Sequence, residues 1–144
     1  MLAAIRPTHA RIRPAVRQDP RVKGALGVPG GRMNTVSDYW RQVLTTGLKV
    51  PTDRPLADLT AELTAMLGSV DPEIRDGMAY PTLATWISRG IYDELLSGLG
   101  DGMAAGLVVG LGEEETDNVF RRSFSALTLA ECIRHDQHAG LLPP

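Results

Sequence analysis

Two stretches of this chain superpose on one another, and that self-similarity limits the fold more than any other feature. With Asp71 laid on Asp117, an offset of 46 residues, Ile74 falls on Phe120, Arg75 on Arg121 and Met78 on Phe124. Leu83 then meets Leu129, Ala84 meets Ala130 and Ile87 meets Ile133, with no gap. Each copy reads as an acidic helix cap, an apolar residue three later, an arginine, and apolar positions at helical intervals.

A period in the forties made of helical pairs is the spacing of HEAT and armadillo arrays, in which each pair buries its apolar face by stacking on the next. In such an array Asp71 and Asp117 cap helices, and Arg75 and Arg121 reach an acid or a carbonyl of a neighbouring unit. Residues 37–67 supply a divergent first pair. Ser37 caps a short helix carrying Tyr39, Trp40, Val43 and Leu44, which Gly47 ends. After the turn Pro51-Thr52-Asp53, with Thr52 or Asp53 as cap, Leu56, Leu59, Leu63, Met66 and Leu67 fall on one face, with Gly68 as the stop. Asp71-Pro72-Glu73 is a cap, a first-turn proline and a first-turn acid. Pro81 predicts a kink near Ala79-Tyr80, with helix resuming through Leu83, Trp86 and Ile87 to Gly90. Asp93 opens a helix through Leu95, Leu96 and Leu99. The six glycines of residues 98–112 leave that segment least defined, because each weakens a helix by about 1 kcal/mol relative to alanine. A last helix runs from Thr116-Asp117 to about His138. No alternating, β-branched run is present, so the predicted fold is all-α: antiparallel helical hairpins stacked as a short solenoid.

Charge divides the chain. Residues 1–32 hold seven basic residues against Asp19, whereas residues 33–144 hold eight basic and sixteen acidic ones. The first segment is interrupted by Pro7, Pro14, Pro20 and Pro29, which leaves no room for a long helix. It lacks the apolar core of a secretory signal. Clustered arginines suit phosphate contacts, but no aromatic residue is there to stack on a base. Composition therefore favours a disordered leader, with Met33 as an alternative start, over a nucleic-acid arm. No apolar stretch reaches membrane-spanning length, Met103–Leu111 being the nearest. Cys132 is the sole cysteine, which excludes an internal disulfide and suits the cytoplasm.

The stretches DPEIRDGMAYPTLATWI and TDNVFRRSFSALTLAECI, with GLGE between them, resemble a bacterial family known only as domain of unknown function 2785. The resemblance rests on Asp71 leading to Tyr80-Pro81-Thr82-Leu83, and on Asp117-Asn118-Val119-Phe120 followed by Arg122-Ser123-Phe124-Ser125-Ala126-Leu127. It covers roughly residues 38–144. It implies a HEAT-like helical domain with no assigned activity. It also implies further helices beyond the equivalent of Leu141-Leu142-Pro143-Pro144. On that basis the chain is expected to be a shortened member whose last apolar face is covered by a protein partner or a second copy, or left open.

Candidate chemistry is sparse. Gly100-Asp101-Gly102-Met103-Ala104-Ala105 matches G-x-G-x-x-A, yet a dinucleotide site needs a strand before it, and Glu94-Leu95-Leu96-Ser97 reads as helix. Cys132, His135 and His138 recur every three residues, a spacing that spreads them around a helix instead of converging on one ion. Glu113-Glu114-Glu115 with Asp117 reads as a solvated helix start. Ser123 and Ser125 have no histidine placed to activate them. No catalytic, cofactor or metal residue is assigned. The expected role is a protein-interaction scaffold, and the alternative is a small-molecule or enzymatic pocket between helices near Tyr80 and Trp86.

Overall fold

The computed structural model describes residues 35–144, and the basic leader and Met33 fall outside them. Every regular element among the described residues is helical. The order is α1 (Val36–Thr45), α2 (Leu56–Met66), α3 (Pro72–Ile74), a π turn (Arg75–Ala79), α4 (Tyr80–Ser88), a 3-10 turn (Asp93–Leu95), α5 (Leu96–Gly106) and α6 (Asn118–Ala139). No described helix is long and apolar enough to cross a membrane.

Side-chain caps start two of the helices, α1 and α3, and Asp117 at the N-cap of α6 makes no such bond. Thr35, two residues before the predicted cap Ser37, accepts the Asp38 N–H at 3.0 Å and starts α1. Gly47 ends that helix with φ of +72°. Neither Thr52 nor Asp53 caps α2, whose N-cap is Pro55. Asp53 instead accepts the Tyr39 hydroxyl at 3.0 Å, tying α1 to the turn. Asp71 caps α3 as the sequence predicts, accepting the Glu73 N–H at 2.9 Å.

Just before Pro81, in the region where the sequence predicts a kink, the helical hydrogen-bond pattern changes. The helix continues through α3, the π turn and α4, and the Tyr80 N–H donates to the Arg75 carbonyl five residues back. Proline has no N–H to give and its ring crowds the carbonyl four residues earlier. The wide turn at Arg75–Ala79 lies just before the ring, and the helical assignment continues through Tyr80–Ser88.

The core is a line of large side chains. Trp40 packs against Trp86 with ring centroids 6.1 Å apart, and Trp86 against Tyr92 at 6.4 Å. Leu59, Leu63 and Leu67 of the α2 region, Met78 in the π turn, and Leu83 and Ile87 of α4 close around them. Each indole and phenol finds a polar partner, as burial requires. Trp40 Nε1 donates to Glu62 Oε1 at 2.7 Å, Trp86 Nε1 to the Leu48 carbonyl at 2.8 Å, and the Tyr92 and Thr60 hydroxyls pair at 2.8 Å. Leu48 takes a φ of +60°, rare for leucine, and its carbonyl also accepts from Arg89 at 3.0 Å.

Helix α6 packs against α4 and α5. At three pairs of positions 46 residues apart, both residues are buried. Ala79 and Ser125 are buried, as are Thr82 and Thr128, and Trp86 and Cys132. Thr82 donates to the Met78 carbonyl and Thr128 to the Phe124 carbonyl, again 46 residues apart. The flanking apolar positions differ. Met78, Leu83 and Ile87 are fully buried, whereas Phe124 and Leu129 are half-buried and Ile133 is 51% exposed. Helix α4 lies against α2 and α6, and α6 against α4 and α5, which cover Ser125, Thr128 and Cys132 and leave Ile133 outside.

Candidate functional site

Two surfaces deserve description as sites: the outer face of α6, and a groove between α2 and α5. On α6, Val119, Ser123, Ala126, Leu127, Ala130 and Ile133 are all exposed. At 100° per residue they lie opposite the buried Ser125, Thr128 and Cys132. Small and apolar residues occupy the middle of this outward face, a pattern that ordinarily marks a contact surface.

The inner face of α6 is close-packed. A Cβ on Gly106 of α5 would overlap Ser125 Oγ and lie 2.8 Å from Ser125 Cβ, so only glycine permits this crossing. Ser125 is fully buried and its hydroxyl has no hydrogen-bond partner. Arg121 donates across to the Thr64 carbonyl near the end of α2. Burial lowers its affinity for a proton from the usual arginine value. Arg75, 8% exposed, donates to the Ser69 carbonyl at 3.0 Å and to Asp76 at 2.8 Å. Its guanidinium carbon stands 4.1 Å from the centroid of the Phe120 ring and 5.1 Å from that of Phe124. The two arginines equated by the repeat thus both bond carbonyls at or just beyond the C-terminal end of α2.

The α2–α5 groove has a volume of about 460 Å3. Ala57 and Ala61 form one wall, Gly98 and Gly102 the other, with the Thr60–Tyr92 hydroxyl pair among its lining. Burial pushes the Tyr92 phenol up to about 12, so it stays a neutral hydroxyl there. Glu94 is the single charged residue of the lining.

The residues singled out by sequence fall as follows. Tyr80 and Trp86 border none of the four cavities described, which corrects the pocket expected beside them. Trp86 is sealed in the core, and Tyr80 donates to Glu131 at 3.0 Å while meeting Phe124 edge-on. The glycine-rich segment does line a cavity, but its neighbour there is Tyr92. Gly100 to Ala105 lie within α5, so no turn presents amides to a phosphate. Cys132 faces inward, with burial pushing its thiol up to about 11. His135 pairs with Asp93 at 2.8 Å, and His138 Nδ1 with the Arg134 carbonyl at 2.7 Å. Among the described residues no three His, Cys, Asp or Glu side chains gather as an ion would need. Glu113 accepts from Thr116 and Asn118, both at 2.7 Å, and ties the loop to the start of α6. Asn118 is the first cause of its lowered carboxyl pKa. Ser123 is exposed on the outer face of α6. Sequence reasoning missed the groove, although Ala57, Ala61, Gly98 and Gly102 at four-residue intervals were readable.

Residues 107–144, which contain α6 and the loop before it, match a family described as protein of unknown function (DUF2785). The YPTL segment lies outside the matched residues. Neither the curated proteins nor the solved structures contain a match to the chain.

Proposed function

We propose that this protein is a helical interaction scaffold of the HEAT type, binding a protein surface instead of catalysing a reaction. The observation that carries the reading is the outer face of α6, where Leu127 is 45% and Ile133 51% exposed at the flank of a stack. An array of helical pairs needs each such face covered by the next unit or a partner. The paired burial at positions 46 apart supports a common unit, as does the shared use of Arg75 and Arg121 on carbonyls near α2. The buried, unpaired Cys132 fits a reducing compartment, which supports a cytoplasmic setting. The thiol is kept protonated by burial, and His135 is engaged with Asp93, so this neighbourhood suits packing better than nucleophilic chemistry.

The test is the double substitution Leu127→Glu/Ile133→Glu, read by light scattering against concentration and by binding of an apolar dye. Both positions are exposed, so stability should stay within about 0.5 kcal/mol of wild type. Wild type should associate and bind dye, and the double variant should do neither. A wild-type chain that is monomeric throughout and binds no more dye than the variant would remove the basis of this reading.

A further inference from the structure

The end of α6 holds the segment that follows it. Asp136 stands in the last turn of the helix, where a carboxylate opposes the helix dipole, so another reason is needed for it there. Its Oδ1 accepts two backbone N–H groups, from Leu141 at 2.8 Å and from Leu142 at 2.7 Å. The Asp136 carbonyl accepts the Gly140 N–H at 2.6 Å, and Gly140 takes the left-handed φ of +63° that turns the chain. Leu141 and Leu142 lie beyond every regular element, yet they are only 38% and 39% exposed. Leu142 is returned against α5 and α6. It lines a cavity of about 250 Å3 together with Leu96 and Gly100 of α5 and Leu129, Cys132 and Ile133 of α6.

This closure is held far more lightly than the walls it closes. Leu96 and Cys132 are buried in the core, whereas the returning segment is fixed by one carboxylate oxygen and one partly covered leucine. Among the described residues Asp136 supplies every hydrogen bond to Leu141 and Leu142. Segments with so few buried contacts open locally, at a free energy below that of global unfolding. Cys132, the one thiol of the chain, is 3% exposed and stands on the cavity wall. We propose that residues 140–142 form a releasable strap, latched by Asp136 and seated by Leu142, that closes the α5–α6 cavity and controls access to the Cys132 thiol. Burial keeps this thiol protonated in the closed state, so release gives it access to solvent and thiolate character together. The strap belongs to the chain's own fold and is independent of what meets the outer face of α6.

The experiment labels Cys132 of the full chain with N-ethylmaleimide under native conditions, read by mass spectrometry, beside urea denaturation followed by circular dichroism. Opening the strap exposes little surface, so the wild-type labelling rate should be nearly flat at low urea and rise steeply only at global unfolding. Asp136→Ala removes the latch and Leu142→Ser removes the seat. Each should label about tenfold or more faster than wild type without urea, while its urea midpoint stays close to that of wild type. Asp136→Asn keeps an accepting oxygen and should label at close to the wild-type rate. A wild-type rate in either Asp136→Ala or Leu142→Ser would overturn the proposal. So would labelling that follows global unfolding from the lowest urea concentration upward, or Asp136→Asn labelling as fast as Asp136→Ala.

Discussion

Alanine at Gly106 and alanine at Gly102 should change stability in opposite directions, although the chemistry is the same and the sites are one turn apart. At Gly106 the new methyl would overlap Ser125 Oγ, lie 2.8 Å from Ser125 Cβ and 3.3 Å from Arg121 Nε. Ser125 is fully buried, so it has no open space to turn into, and Arg121 is held by the Thr64 carbonyl. Relief requires α5 and α6 to separate. Overpacking of this kind costs about 1–3 kcal/mol. Against it stands at most about 1 kcal/mol of helix propensity, reduced because Gly106 is the last residue of α5. The expected net loss is about 1–2 kcal/mol, or a melting temperature lower by roughly 5–10 °C for a domain of this size. At Gly102 the propensity term acts alone, and a gain of up to about 1 kcal/mol is expected. Urea denaturation followed by circular dichroism measures both. If the two substitutions shifted stability in the same direction, the close crossing at Gly106 and Ser125 would be refuted.

The remaining predictions concern the core and one carboxylate. Leu63→Ala removes a fully buried side chain and should lose about 2–5 kcal/mol in the same assay. Phe124→Ala should lose roughly half of the 3–5 kcal/mol typical of a buried phenylalanine, because that ring is half-buried against Tyr80; equal losses at the two sites would contradict this ordering. The Arg54 guanidinium bonded to Glu62 holds its carboxyl below the ordinary value, with the Trp40 indole adding to the effect. A depressed carboxylate stabilises the fold above its unfolded pKa of about 4.3, and that contribution disappears as pH falls through the lower folded value. Glu62→Gln should therefore lower stability at neutral pH and flatten the acid limb of the profile, and an unchanged acid limb would count against the Arg54 pairing.

The elements were legible where a single residue governs its own backbone. Asp71 capped α3, and Gly47 and Gly90 turned into the left-handed region after their helices, because these effects act within a few residues. Asp53 was misread because a tertiary partner, Tyr39, claimed its carboxylate. The predicted helix through Leu95 became a 3-10 turn, and Leu95 itself is 54% exposed, lining the groove instead of the core. The glycine-rich segment held helix as far as Gly106, since Leu96, Leu99 and Met103 anchor one side of it in the core. On α6 the apolar positions suggested burial for Phe124 and Ile133, yet the covered strip is Ser125, Thr128 and Cys132. How much of a stripe is covered depends on the number of neighbours, which periodicity along one helix does not encode. Neither the exposed face of α6 nor the groove follows from periodicity, because both require knowing which helices stand side by side.

The wide turn at Arg75–Ala79 acts as a phase correction. From Arg75 to Ile87 an uninterrupted α-helix would rotate its stripe by about 120°, taking one end off the core. Five residues in one turn give back much of that rotation, so Arg75 stays beneath Phe120 while Ile87 stays inside. Pro81 stands six positions beyond Arg75, at the start of the helix that follows this turn. The guanidinium that lies against Phe120 is thus carried on the same wide turn that stands ahead of that proline.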